Sequence, residues 1–257
     1  MKKWILIGIG SLIVIIIIVL VVGLSNLGPM IKSAVNTYGP GITKTEVRLG
    51  DVKVSLFSAE AELKGFYLGN PKGFKSPQAM KVKSIKVDVN EKSLTGDTIV
   101  IDRIEVVAPE ITYEKIRGTD NFKTILNNVN ETVGTDKTQA EKQAEKKEGG
   151  KKILIKNFIV RDGKVGLIMP ILSGQTLSAS LPDIHLKDLG KKKGGASPAE
   201  VFKEAFASLY QKITSPAVTD IFNNGLKSLG TNLEAVGDKG KKELETVKDT
   251  FKGLLNN

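Results

Sequence analysis

The sequence predicts an α+β protein: an N-terminal transmembrane helix, an antiparallel β-sheet with an inserted helix, and amphipathic helices at the C-terminal end. Three observations predict it. The run from Trp4 to Leu24 is apolar and uncharged. From about residue 50 to residue 190, apolar residues recur at every second position. Beyond Lys191-Lys192-Lys193-Gly194-Gly195 the period changes to 3.6. The expected divisions are an anchor over 1–31, a β-rich domain over 32–190 with a helix and charged linker at about 122–152, and a helical region over 196–257.

The anchor comes first. As a helix, Trp4 to Leu24 spans about 31 Å, one hydrocarbon core. Lys2 and Lys3 precede it, so the positive-inside rule predicts a cytoplasmic N-terminus. Trp4 and Ile5 at one end and Leu24 at the other bound the span, with Trp4 placed as an interfacial anchor. The run is longer than a signal-peptide core, and Val22-Gly23-Leu24-Ser25-Asn26 lacks a small-x-small cleavage pattern, which predicts an uncleaved anchor. In a bacterial cell, the bulk of the chain would then lie in the periplasm.

Gly39-Pro40-Gly41 reads as a chain break, after which the strands begin. Val52, Val54 and Leu56 alternate, as do Ala59, Ala61 and Leu63, then Ile85, Val87 and Val89, then Ile99 and Ile101 leading into Ile104 and Val106. Asn70-Pro71-Lys72-Gly73 and Thr95-Gly96-Asp97 are turn signals between them. Lys81, Lys83, Lys86 and Asp88 leave one face wet. Two stretches match at the same offsets: Ile99 to Val106, then Pro109 and Ile111-Thr112-Tyr113; and Ile153 to Val160, then Gly163 and Val165-Gly166-Leu167. Each reads as a strand, a kink and a hairpin return.

Between the copies, Phe122, Ile125, Leu126, Val129 and Val133 have helical spacing, and the Lys/Glu/Gln-rich tract from Thr135 to Lys152 reads as an exposed linker. Ser197-Pro198-Ala199-Glu200 is a capping box with Pro at the first helical position. It opens a stripe of Val201, Phe202, Ala205, Phe206, Leu209 and Ile213. Ser215-Pro216 opens a second helix, and Leu244, Val247, Phe251 and Leu254 mark a third.

The series Val54 to Ser58, Leu63 to Leu68, Asn70 to Phe74, Ile85 to Val89, Ile99 to Ile101 and Pro109 to Ile111, with Ile155 to Leu167 and Leu181 to Ile184 further on, resembles the AsmA-like family. These are bacterial inner-membrane-anchored envelope proteins related to bridge-like lipid-transfer proteins. The resemblance covers roughly residues 1 to 190. It implies a curved, groove-like sheet with an apolar lining, a place in envelope biogenesis and phospholipid traffic, and membrane lipids as partners. With eight or nine strands the sheet would be about 40 Å long, too short for a complete bridge.

Composition narrows the chemistry. With no Cys and one His, disulfides, thiolate metal sites, Fe–S clusters and multi-His zinc sites are excluded. No nucleophile elbow, phosphate loop or dinucleotide fingerprint is present. His185 reads as a solvated or locally hydrogen-bonded residue, and the pairs Glu60/Glu62 and Glu110/Glu114 as parts of a polar outer face. The expectation is no enzyme, no cofactor and no metal. The net charge is +10, but the chain has only four Arg (Arg48, Arg103, Arg117, Arg161) and its Lys are interleaved with Glu, so no nucleic-acid surface is predicted.

An antiparallel sheet with one apolar face must cover it with helices, curl around it, or fill it with lipid. A closed core under 122–133 and the tail helices, and a lipid-lined groove, both satisfy the pattern; the resemblance favours the groove. Its lining would be Val52, Val54, Leu56, Ile85, Val87, Val89, Ile99, Ile101, Ile153 and Ile155, assigned by strict alternation. The alternative is a periplasmic scaffold with a closed core that meets an envelope protein through its C-terminal helices.

Overall fold

The computed structural model describes residues 26–234 except 56, 117, 137–151, 173–174 and 192–193. The expected span over Trp4, Ile5 and Leu24, Leu56, most of the charged linker and the third tail helix lie outside these residues. Among the described residues no helix is long and apolar enough to cross a membrane.

Among the described residues the architecture is α+β: a curled open sheet with four helices. Helix α1 (Leu27–Thr43) leads into β1 (Val47–Arg48), β2 (Asp51–Ser55), β3 (Glu60–Gly69), β4 (Gln78–Val89), β5 (Thr98–Val107), β6 (Glu110–Ile116) and β7 (Thr119–Asp120). Helix α2 (Asn121–Asp136) precedes β8 (Lys152–Arg161), β9 (Lys164–Ile168), β10 (Leu177–Ser180) and β11 (Ile184–Leu189). Helices α3 (Pro198–Ile213) and α4 (Pro216–Glu234) follow. The inserted helix and the first two tail helices fall where the 3.6-residue periods put them. The Ser197 and Glu200 side chains make the reciprocal capping-box bonds that start α3.

Gly39-Pro40-Gly41 does not break the chain. Helix α1 runs through it and stops at Lys44, whose left-handed φ of 52° ends the helix. Packing outweighs the breakers here. A Cβ on Gly39 would lie 2.8 Å from Val47 Cγ1, so only glycine lets the helix approach β1 this closely. One turn earlier Asn36 grips the same edge: its Oδ1 accepts from Leu49 N–H at 2.7 Å.

The eleven strands make six lines, with the two-residue β7 beside the end of β6. β1 and β2 are one broken line along β3. β5 and β6 are one line along β4. β8 with β9, and β10 with β11, make the last two. At about 4.8 Å between lines the sheet is about 24 Å across, less than the 40 Å expected from counting strands.

The sheet is mixed rather than antiparallel: β5 pairs with β8 and β6 with β9 in parallel, and every other pairing is antiparallel. The two matching stretches therefore lie side by side and in phase, Ile99 against Ile153, Val106 against Val160, Ile111 against Val165. The second half of each unit continues past its kink instead of folding back as a hairpin. A parallel return needs a long crossover, and α2 with the linker supplies it.

Candidate functional site: one apolar sheet face, partly roofed

Pairing sorts the apolar side chains into rows that cross the sheet on one face. One row is Val47, Leu68, Met80, Ile111, Val165 and Ala179. Another is Val52, Leu63, Ile85, Val106, Val160 and Ile184. A third is Val54, Ala61, Val87, Ile104, Phe158 and Leu186, and a fourth is Val89, Ile101, Ile155 and Leu189.

Strict two-residue alternation would put the first row and the next two on opposite faces. They share a face because every line carries an extra residue at the same level: Phe66 to Leu63, Val82 to Ile85, Pro109 to Val106, Gly163 to Val160 and Leu181 to Ile184 are steps of three. Gly65, Ala108 and Asp162 take up the difference at φ of 64°, 50° and 57°. The sheet is creased along this line. Gly163 is required there, since a Cβ would meet Leu181 at 2.9 Å and Pro109 at 3.2 Å.

Helices roof part of this face. Helix α1 lies on β1 and β2, α2 on β6 and β7, α3 on β8 and β11, and α4 on β10, and neighbouring helices touch one another. Phe122, Ile125 and Val129 of α2 are fully buried with Phe206, Leu209 and Ile213 of α3 and Val218, Phe222 and Leu226 of α4. The Phe122 and Phe206 rings stack with centroids 5.2 Å apart. Beyond the crease the first turn of α1 flanks β2, with Gly28 against Val52, and α3 flanks β8 and β11. Val54, Ala61, Leu63, Val87, Val89 and Ile99 are half-buried and belong to neither packed core.

All nine described lining candidates share the apolar face. Val52 is buried where Gly28 of α1 rests on its carbonyl, and Ile155 is buried with Leu189, Ala196 and Val201. Val54, Ile85, Val87, Val89, Ile99, Ile101 and Ile153 are half-buried. The expected lining omits Ala61, Leu63 and Ile104, which belong to the same floor; a step of three after Ile101 keeps Ile104 on this face.

The opposite face is charged. Glu62 accepts from Ser84 Oγ at 2.8 Å and pairs with Lys64 at 3.2 Å; the Ser84 hydrogen bond, with Lys64, holds its carboxyl below the usual range. Glu105 pairs with Arg103 and Arg161, and Asp102 with Lys156 at 2.6 Å. An open depression of about 380 Å³ follows the crease, lined by Tyr67, Lys81, Lys83 and Glu110 among others. It holds one carboxylate, Glu110, and so no pair of carboxylates.

Glu110 and Glu114 do not share an outer face. Glu110 is exposed, while Glu114 is 2% exposed and accepts from the Lys75 and Ser76 N–H groups, both at 2.7 Å, and from Ser76 Oγ at 2.6 Å. That buried carboxylate ties down the loop between β3 and β4. Asp120 caps α2 through Lys123 N–H and accepts from Tyr210 Oη at 2.9 Å. Burial and then the Asp120 charge push both Tyr113 and Tyr210 up, and burial pushes Lys115 down. His185 is exposed with Nε2 3.0 Å from Asn157 Oδ1. Among the described residues no group of three or more His, Cys, Asp or Glu is placed to hold a metal.

The fold and this face define a class: an α+β protein whose curled sheet keeps its apolar side inward, roofed at one end and half-open at the other. The AsmA family model matches residues 1–191, and the chain belongs to the AsmA family. The family is associated with the cell envelope and is not known as enzymatic. The match ends before α3 and α4, although both helices pack into the same core as the strands. No curated protein matches the chain.

Proposed function

We propose that this protein binds lipid acyl chains, phospholipid in particular, on the half-open floor of its sheet and helps move them in envelope biogenesis, with no catalytic step. It would be held as a single-pass protein of the bacterial inner membrane by residues 4–24, N-terminus cytoplasmic and the rest periplasmic. One observation carries the reading: Leu63, Val87, Val89 and Ile99 form an apolar strip beside α3 that no described helix covers fully. Such a strip in water is unfavourable by about 25 cal/mol per Å², and an acyl chain laid along it removes that exposure.

A protein beginning at Asn26, purified without detergent, tests the proposal by lipid extraction and mass spectrometry. Near-stoichiometric phospholipid is the expected result. A folded, monodisperse and lipid-free protein would overturn it and direct attention to protein partners of α4, whose Ile221 is exposed.

A further inference from the structure

Six large apolar side chains are exposed among the described residues: Met30, Tyr38, Phe57, Leu94, Val107 and Ile221. Two of them gather at one end. Phe57 is fully exposed at the turn between β2 and β3, and Leu94 is 47% exposed in the turn between β4 and β5. The two turns are neighbours, because Val89 N–H donates to Ala59 O at 2.9 Å and Glu60 pairs with Asp88. This is the half-open end of the apolar face.

The chain enters α1 at the end that rests on Val52. The apolar run stops at Leu24, and four residues of at most about 3.6 Å each keep Gly28 within about 14 Å of it. From Val52 to Phe57 the hairpin reaches up to about 17 Å in the opposite direction to α1. The reach of the tip beyond Gly28 is therefore comparable to the length of chain that separates Gly28 from the end of the run. Charge at this end is mixed and not basic, with Lys92 and Lys152 against Glu60, Glu91 and Asp97.

We propose that Phe57 and Leu94 form a tip that inserts into the interface of a lipid bilayer and sets the half-open end of the sheet on the membrane surface. The occupant is a bilayer, and the contact is made by apolar insertion rather than by headgroup charge. The tip does not need the floor to carry lipid.

The absence of Cys makes the test direct. Phe57→Cys, Leu94→Cys and, in the loop at the far end of β3, Lys72→Cys are each labelled with an environment-sensitive fluorophore in the full chain reconstituted in phosphatidylcholine vesicles. The expected result is a blue-shifted emission at positions 57 and 94 that is lost with brominated lipid and persists in high salt, while position 72 stays solvent-like. Solvent-like emission at 57 and 94, no more quenched than at 72, would overturn the tip. Quenching that vanishes in high salt would overturn apolar insertion as its basis. All three positions are exposed loop sites, and circular dichroism confirms folding of each variant. Lipid extraction of the same variants reports on the floor separately, so failure of one proposal is distinguishable from failure of the other.

Discussion

Val87→Asp separates lipid binding from folding. Val87 sits mid-floor, paired with Ala61 on one side and Ile104 on the other, half-buried and outside both packed cores. A carboxylate there keeps its water, because an unpaired charge under an acyl chain costs several kcal/mol. About four methylenes would lose their contact with the floor, and at about 0.8 kcal/mol each the loss is about 3 kcal/mol, more than a hundredfold in affinity. The folding cost is smaller, about 1 kcal/mol for half a valine side chain, against a domain stability of about 5–15 kcal/mol. Lipid extraction with mass spectrometry, read beside circular dichroism, should show a folded protein with its lipid gone, and Val54→Asp should deepen the loss. Lys83→Asp, on the charged face, should keep its lipid, whereas Val165→Asp, fully buried, should not fold. A folded Val87→Asp protein with unchanged lipid content refutes the floor as the binding surface.

Three further predictions concern the frame that holds this floor. Ala108 has a φ of 50°, a left-handed geometry that costs a non-glycine residue about 1–2 kcal/mol, so Ala108→Gly should raise the urea midpoint and Ala108→Val should lower it. Glu114→Ala leaves two N–H groups and the Ser76 hydroxyl without their acceptor; a loss of about 3 kcal/mol and faster proteolysis between residues 71 and 77 are expected, and an unchanged urea midpoint would contradict the anchoring role. Tyr210 has its pKa raised in the folded protein, so its contribution is fully present below about pH 10 and lost as pH climbs beyond the unfolded value. Tyr210→Phe should flatten that alkaline limb in a plot of urea midpoint against pH, with little change between about pH 7 and 9.

Much of the frame was legible in the chain because its signals are local. The Asn70-Pro71-Lys72-Gly73 turn, the capping box at Ser197 and Glu200, and the stripe from Phe122 to Val133 each act within a turn or two, and all appear where expected. The parallel seam was not legible. It depends on what happens between Ile116 and Lys152, and a kinked strand and a hairpin leave the same trace over Ala108-Pro109. Pro40 misled for a related reason: its helix-breaking tendency is local, while the contacts of Asn36 with Leu49 and of Gly39 with Val47 that outweigh it are not. The floor was half legible. Alternation found Val54, Val87 and Ile101, but the extra residue at the crease exchanges the roles of Lys83 and Val82, and only the neighbouring strands reveal it. Glu114 looked like Glu110 for want of any view of the loop folded over it.

The in-phase pairing of β5 with β8 has a consequence for how the chain reaches this structure. Partners such as Ile99 and Ile153 lie 54 positions apart, whereas β3, β4 and β5 meet through short turns and β8 to β11 are joined by equally local links. Closing the long segment costs about 3.5 kcal/mol of chain entropy, which makes the seam the pairing of greatest closure cost in the sheet. Doubling that segment would add only about 0.6 kcal/mol. The crossover can therefore vary in length at small thermodynamic expense, while the alignment of the two halves tolerates no slip, since moving by one residue would turn Phe158 and Val160 out of the core.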